Sequence, residues 1–219
     1  KIDRAVITVP AYFSDTQRKA VVEAGKLAGI KVERIINEPT AASLDYGMDH
    51  MEDCNNILIY DLGGGTLDVT VLEMFEGVLE VKASSGNNRL GGKDFDNSLM
   101  DFCLERFHAT YGIDVSDDKR AMMRLKKECE KCKIALSTEQ EYSIVLPFFA
   151  EVDRKPVSLE EEINRQLFES LIKAHIDSTR EPIQRALNDA KLRKEDIDLI
   201  LLVGGSTRIP YVRYFIEAE

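Results

Sequence analysis

Ile57-Leu58-Ile59-Tyr60-Asp61-Leu62-Gly63-Gly64-Gly65-Thr66-Leu67-Asp68-Val69-Thr70-Val71 is the stretch that decides how this chain is read. An apolar run ends in an acid, three glycines and a hydroxyl follow, and a second acid opens another β-rich run. The pattern is strand, tight turn, strand. Glycine lets a turn adopt left-handed angles and lets the backbone approach a ligand closely. Consecutive amides in such a turn form a concave anion site. Asp61 and Asp68 flank it and would repel a bare anion. A phosphate escorted by a divalent cation fits better, because magnesium takes oxygen ligands and keeps waters. The chemical reading is a magnesium–polyphosphate site. An ordinary hairpin with a glycine-rich turn explains the same letters.

The rest of the chain supplies a frame for that turn. It has 219 residues, 44% hydrophobic and 31% charged, the balance of a globular protein. No apolar run approaches the roughly 20 residues of a membrane helix, and no signal-peptide pattern opens it. The net charge of −10 argues against a nucleic-acid surface. The chain starts at Lys1, almost directly in a strand over residues 5–9, which reads as a piece of a longer protein. Cys129 and Cys132 form a C-x-x-C inside a helical pattern with no second pair, so reduced thiols and a cytoplasmic location are expected. His50, His108 and His175 read as surface residues.

Ser14 reads as the N-cap of a helix that Gly29 stops. A second strand over residues 32–36 leads to Asn37-Glu38-Pro39-Thr40-Ala41-Ala42, with Pro39 suited to a first helical position. Glu38 then sits at a strand-to-helix junction, where open α/β sheets place ligands; an acid favoured by the helix dipole explains it equally. Residues 48–56 read as a loop, 78–83 as a strand and 84–89 as a loop. Leu90-Gly91-Gly92-Lys93-Asp94-Phe95-Asp96 is a second glycine turn feeding a helix. Met122, Leu125, Cys129 and Ile134 give a partial apolar stripe. Residues 142–146 read as a strand and 147–157 as a packed connector containing Phe148, Phe149 and Val152. Ser158 with Glu161 reads as a capping box opening a helix to Thr179, and Pro182 marks a break. The apolar run over 197–203, broken by Asp198, opens into Gly204-Gly205-Ser206-Thr207-Arg208-Ile209-Pro210. Strands mixed with crossover helices make an α/β architecture.

Five motifs in order carry a resemblance that spans essentially the whole chain. Asp61-Leu62-Gly63-Gly64-Gly65-Thr66-Leu67-Asp68-Val69 resembles the second phosphate motif of the actin-like ATPases. Val203-Gly204-Gly205-Ser206-Thr207-Arg208-Ile209-Pro210 resembles their adenosine motif. Val9-Pro10-Ala11-Tyr12-Phe13, Ile35-Ile36-Asn37-Glu38-Pro39-Thr40-Ala41-Ala42 and the Leu90–Asp96 run narrow the match to the seventy-kilodalton heat-shock chaperones, the family of bacterial DnaK.

That resemblance implies an actin-like ATPase (ribonuclease H-like) fold and an ATP-binding chaperone of the stress response. It implies that Glu38 positions the attacking water, that Asp61 lies near magnesium and the water, and that Asp68 helps hold potassium and the metal shell. Thr66 would stand beside the γ-phosphate. Gly63, Gly64, Gly65, Gly91 and Gly92 would contact nucleotide through backbone. Gly204, Gly205, Ser206, Arg208 and Ile209 would line the adenosine pocket, with Glu130, Lys133 and Ser137 as its opposite wall. Pro10 and Arg18 would relay nucleotide state to a peptide-binding domain. The implied cofactors are ATP or ADP, Mg2+ and K+. The implied partners are unfolded client peptides, a J-domain co-chaperone and a nucleotide-exchange factor, with neither nucleic acid nor membrane. Residues 1–52 would be the last part of the first lobe, 53–90 and 173–219 the lower subdomain of the second, and 91–172 its helix-rich upper subdomain. ATPase activity would belong to the full-length protein and not to this piece, which lacks the first phosphate loop. Lys93 and Ile134 depart from the family pattern, where an acid and an adenine-stacking arginine are usual, and imply a divergent, specialised member.

Overall fold

Residues 2–11, 13–46, 55–75 and 78–219 are described by the computed structural model. Gly47, His50, Cys54, Gly77, Tyr12 and most of the expected 48–56 loop lie outside them. In chain order, β1 (Arg4–Val9) leads through α1 (Asp15–Leu27) and β2 (Lys31–Asn37) to α2 (Glu38–Tyr46). Next come β3 (Asn56–Leu62), β4 (Leu67–Phe75), β5 (Val78–Asn87), α3 (Gly92–Tyr111) and α4 (Lys119–Ala135). A hairpin of β6 (Glu141–Val152) and β7 (Lys155–Asn164) precedes α5 (Arg165–Asp177) and α6 (Arg180–Ala190). β8 (Leu199–Val203), a 3-10 turn over Gly205–Arg208 and α7 (Pro210–Ala218) complete the order. The expected α/β class holds.

The described chain forms two compact units. The first takes Lys1–Leu62, Thr66–Asn88 and Arg180–Val203; the second takes Gly63–Gly65, Arg89–Thr179 and Gly204–Glu219.

The first unit is built on a four-stranded sheet in the order β5-β4-β3-β8. β3 runs antiparallel to β4 and parallel to β8. Ile57, Ile59, Leu72, Met74 and Leu201 fill one face, and alternate residues such as Leu58, Tyr60, Val69 and Val71 are buried as well. Burial on both faces explains why β3 reads as an unbroken apolar run. α6 packs against β4 and β5. Asp198, the one acid in the 197–203 run, precedes β8 and accepts from the Asn55 and Asn56 amides at 2.9 Å each, so it fixes the start of β3. β1 and β2 pair in parallel, joined by α1, whose Ser14 N-cap is formed as the sequence predicts and is completed by Gln17 as a capping box. β5 continues through residues 84–87, where a loop is expected, because Ser84–Asn87 pair with Leu67–Thr70. Gly86 permits this: a Cβ there would stand 2.3 Å from the Leu67 carbonyl oxygen.

The second unit packs α3, α4 and α5 with the β6–β7 hairpin. Here two sequence expectations fail. The connector over 147–157 is the hairpin itself, turning at Asp153 and Arg154, both with positive φ near 50–62°. Phe149 is buried in it but Phe148 is exposed. The helix expected from Ser158 begins only at Arg165, capped by Asn164, whose side chain accepts from the Leu167 amide at 2.8 Å. Residues 159–164 pair with β6 instead, and Leu159 and Ile163 turn inward. Three consecutive glutamates suit a helix by propensity, and the cross-strand partners override it. On α4 the buried stripe is Ala121, Leu125, Cys129 and Cys132; Ile134 is exposed.

Candidate functional site

In the first unit, the expected acids converge at one end of the sheet. Asp61 and Asp68 are direct cross-strand partners on β3 and β4. Like charges placed opposite each other repel. Asp68 is 4% exposed, and its Oδ1 has no hydrogen-bond partner. Burial first, then the charges of Asp61 and Glu38, push its carboxyl up to about 7. Glu38, the first residue of α2, is raised by burial and by Asp61; Asp61 is raised by burial. Three acids that disfavour one another's ionised form, one of them with an orphaned buried oxygen, make a strained anionic cluster. A cation would relieve it, and an all-oxygen donor set suits Mg2+ or K+. Among the described residues no three His, Cys, Asp or Glu side chains close directly on one point.

Pro10 and Arg18 meet in the same unit. The Arg18 guanidinium donates to the carbonyls of Phe13 (3.1 Å), Ala11 (3.0 Å) and Pro10 (3.4 Å) and to Asn37 Oδ1 (2.9 Å). One side chain thus ties the Pro10 loop to the residue preceding Glu38.

In the second unit, the glycine turn is held by its carbonyls. Gly63 O accepts from Gly92 N at 3.0 Å and from Ser206 Oγ at 2.9 Å, and Gly64 O accepts from Lys93 N at 2.9 Å. The Gly64 and Gly65 amides have no acceptor among the described residues. The turn therefore spends its acceptors on the protein and leaves donors for an anion. None of its glycines is left-handed; Gly29, Gly112 and Gly204 are the described glycines with positive φ. What the turn requires is close approach. A Cβ on Gly91 would stand 2.4 Å from Gly65 N, and one on Gly92 would stand 2.9 Å from Ser206 Oγ.

Beside this turn lies an open pocket of about 1120 Å3. Of the expected residues, Gly64, Gly92, Lys133, Ser137, Gly205, Ser206, Arg208 and Ile209 line it. Ile134 lines it too, which explains an exposed isoleucine on α4. Glu130 is exposed on α4 outside the lining, and Gly204 precedes it with φ 89°. Thr66 is half-buried in the first unit. Lys133 is held by Gly92 O (2.9 Å) and by both oxygens of Asp96, Oδ1 at 2.8 Å and Oδ2 at 2.9 Å. Asp96 was not legible as a partner; its only signal is the repeated acid at i and i+2 after the second glycine pair. Arg213 and Tyr214 of α7 also line the pocket and carry no motif.

The remaining chemistry-bearing residues are structural. Cys103, Cys129 and Cys132 are free and fully buried. A hydrogen bond with Cys103, then burial, pushes the Cys129 thiol up, and burial pushes Cys132 up to about 12. Such thiols are unreactive. His108 is exposed as expected, but His175 is half-buried, 3.0 Å from Ser98 Oγ and with its ring centroid 5.9 Å from that of Phe95, tilted by 47°.

A parallel–antiparallel sheet with paired acids in the first unit, and a glycine turn with free amides beside a large pocket in the second, define an α/β protein. Comparison with known proteins narrows the class. The model of the family described as Hsp70 protein matches residues 1–218. The chain is 54% identical over 218 residues to the chaperone protein DnaK of Thermotoga petrophila and of Thermotoga maritima, covering 99% of this chain and 37% of each relative. It is 51% identical over 219 residues to that of Mycoplasma mobile, covering 100% of this chain and 36% of the relative. This chain belongs to the Hsp70 family. It spans little more than a third of the length of these relatives.

Proposed function

We propose that this chain is a nucleotide-binding piece of an ATP-hydrolysing chaperone. The carrying observation is the pocket of the second unit, where Ser137, Lys133, Ser206 and Arg208 stand beside a glycine turn with free amides, in a chain matched by the Hsp70 model over residues 1–218. The ligand is ATP or ADP. The Gly64 and Gly65 amides donate to phosphate oxygens, and Ile134 and Ile209 offer apolar surface to the base. Asp61 and Asp68 hold hydrated Mg2+, with K+ near Asp68. The ion supplies charge neutralisation on the transferred phosphoryl group. Glu38 and Asp61 orient the attacking water, and Thr66 stands beside the γ-phosphate. Positioning and charge compensation are what phosphoryl transfer asks of a protein.

In this reading residues 1–52 belong to a first lobe, 53–90 and 173–219 to a lower and 91–172 to an upper subdomain of the second. Arg18, bridging the Pro10 loop and Asn37, transmits nucleotide state to a peptide-binding domain. The full-length protein grips unfolded peptides and works with a J-domain co-chaperone and an exchange factor, in the cytoplasm. No helix among the described residues is long and apolar enough to cross a membrane. The isolated chain turns over no ATP; turnover abolished by Glu38→Ala refutes that.

The test is a calorimetric titration with Mg-ADP, repeated on Ser206→Trp, which fills the pocket. Binding lost on substitution supports the reading. Binding that survives it, or none at millimolar ligand, overturns it.

A further inference from the structure

We infer that Lys93 is a phosphate-contacting specificity residue of this chain: its ammonium binds the polyphosphate held at the Gly63–Gly65 turn and sets the salt dependence of nucleotide affinity. The inference rests on the nucleotide reading above and adds a cation that reading does not use.

Lys93 is fixed at its root and free at its tip. Its amide donates to Gly64 O at 2.9 Å, which locks its backbone against the turn. Its stem runs past Gly65, with Cδ 4.0 Å from where a Gly65 Cβ would be. A Cβ on Gly65 would meet that stem in ordinary van der Waals contact. The residue is exposed, and its ammonium has no carboxylate partner among the described residues. Lysine normally keeps its head in water and lays its stem on the protein; here the surface chosen is the turn whose amides are free.

The charge inventory nearby makes this cation matter. Lys133 also reaches Gly92, but Asp96 neutralises it at 2.8 Å. Asp94 brings an anion to the same helix end, accepting from Gly91 N at 2.8 Å. The chain as a whole carries −10. A polyphosphate at the turn therefore meets an adverse field that Lys93 offsets at the turn itself, with Arg208 and Arg213 further along the pocket lining. An ammonium is a mobile point charge, suited to following phosphate oxygens rather than fixing one geometry. Its contribution is electrostatic, so it weakens with salt, and it discriminates by phosphate and not by base.

The experiment is titration calorimetry of the chain with Mg-ADP and with adenosine, at about 50 and about 200 mM salt, the range over which screening changes appreciably. Wild type, Lys93→Ala, Lys93→Arg and Lys93→Glu are compared. Lys93→Ala raises the Kd for ADP roughly three- to tenfold, the size of a partly exposed charge-assisted contact. It leaves adenosine unchanged and flattens the salt dependence for ADP. Lys93→Arg binds as wild type, and Lys93→Glu is weaker than Lys93→Ala. Equal ADP affinity and equal salt slope in Lys93→Ala overturn the role of Lys93 while leaving the nucleotide site standing. Equal weakening of ADP and adenosine also overturns it, marking a structural effect. Wild type that binds neither ligand overturns the nucleotide reading and this inference together.

Discussion

Two buried aspartates, Asp68 in the first unit and Asp96 in the second, are each 4% exposed and each pushed up by burial. Their surroundings differ. Asp96 faces Lys133 at 2.8 Å, and the hydrogen bond and charge of that lysine pull against burial. Asp68 faces Asp61 and Glu38, whose charges add to burial. The first is a closed ion pair that positions a pocket wall. The second is an open account of negative charge, the arrangement a protein tolerates where a cation completes the site. Burial of an acid alone therefore does not mark chemistry; the sign of its neighbours does.

The comparison can be broken from the Asp96 side. Lys133→Met leaves a carboxylate buried without its partner, and removing one member of such a pair costs ~3 kcal/mol. Urea unfolding should show the loss, and Lys133→Met combined with Asp96→Asn should recover most of it. If the double variant is as weak as the single, Lys133 matters for packing and the contrast with Asp68 fails.

Next in size is a pair of glycine variants that separates the turn's packing from its binding. Gly91→Ala forces a Cβ to 2.4 Å from Gly65 N, and overpacking of that kind costs about 2 kcal/mol. Gly64→Ala meets no protein atom within 4 Å, and its thermal midpoint should match wild type. Gly64 lines the pocket, so the alanine methyl should instead weaken Mg-ADP binding measured by calorimetry.

How much of this was legible follows from what each feature depends on. The β3–turn–β4 unit and the Ser14 cap are local, written in apolar runs and in one hydroxyl at the right spacing. The β6–β7 hairpin was not, because its turn uses Asp153 and Arg154 at positive φ where glycine or asparagine would announce it. Its second strand hides Leu159 and Ile163 among glutamates that favour helix. Among these glycines Gly91 is required by its approach to Gly65 N, whereas no left-handed angle requires the turn glycines and a Cβ on Gly64 would meet open space, a distinction the letters do not carry. Residue pairs such as Lys133–Asp96 and Arg18–Asn37 join segments 37 and 19 positions apart, and no local pattern encodes them.

The remaining test sharpens the Asp68 side, and its effect has the opposite sign. An aspartate whose folded-state pKa is raised binds its proton more tightly folded than unfolded. Stability from that proton is present at low pH and is lost as pH climbs from the ordinary carboxyl value of 3.8 through about 7. Asp68→Asn is neutral throughout, so without divalent cation it should be more stable than wild type by up to about 4 kcal/mol at pH 8. The gain should vanish near pH 4. For a chain of this size that is a rise of about ten degrees in Tm, readable by calorimetric scans across pH. Adding Mg-ADP should reverse the order, because only wild type offers the carboxylate that the cation uses. A wild type more stable than Asp68→Asn at pH 8 without cation would mean that Asp68 already has a compensating partner, and its likeness to Asp96 would outweigh the difference.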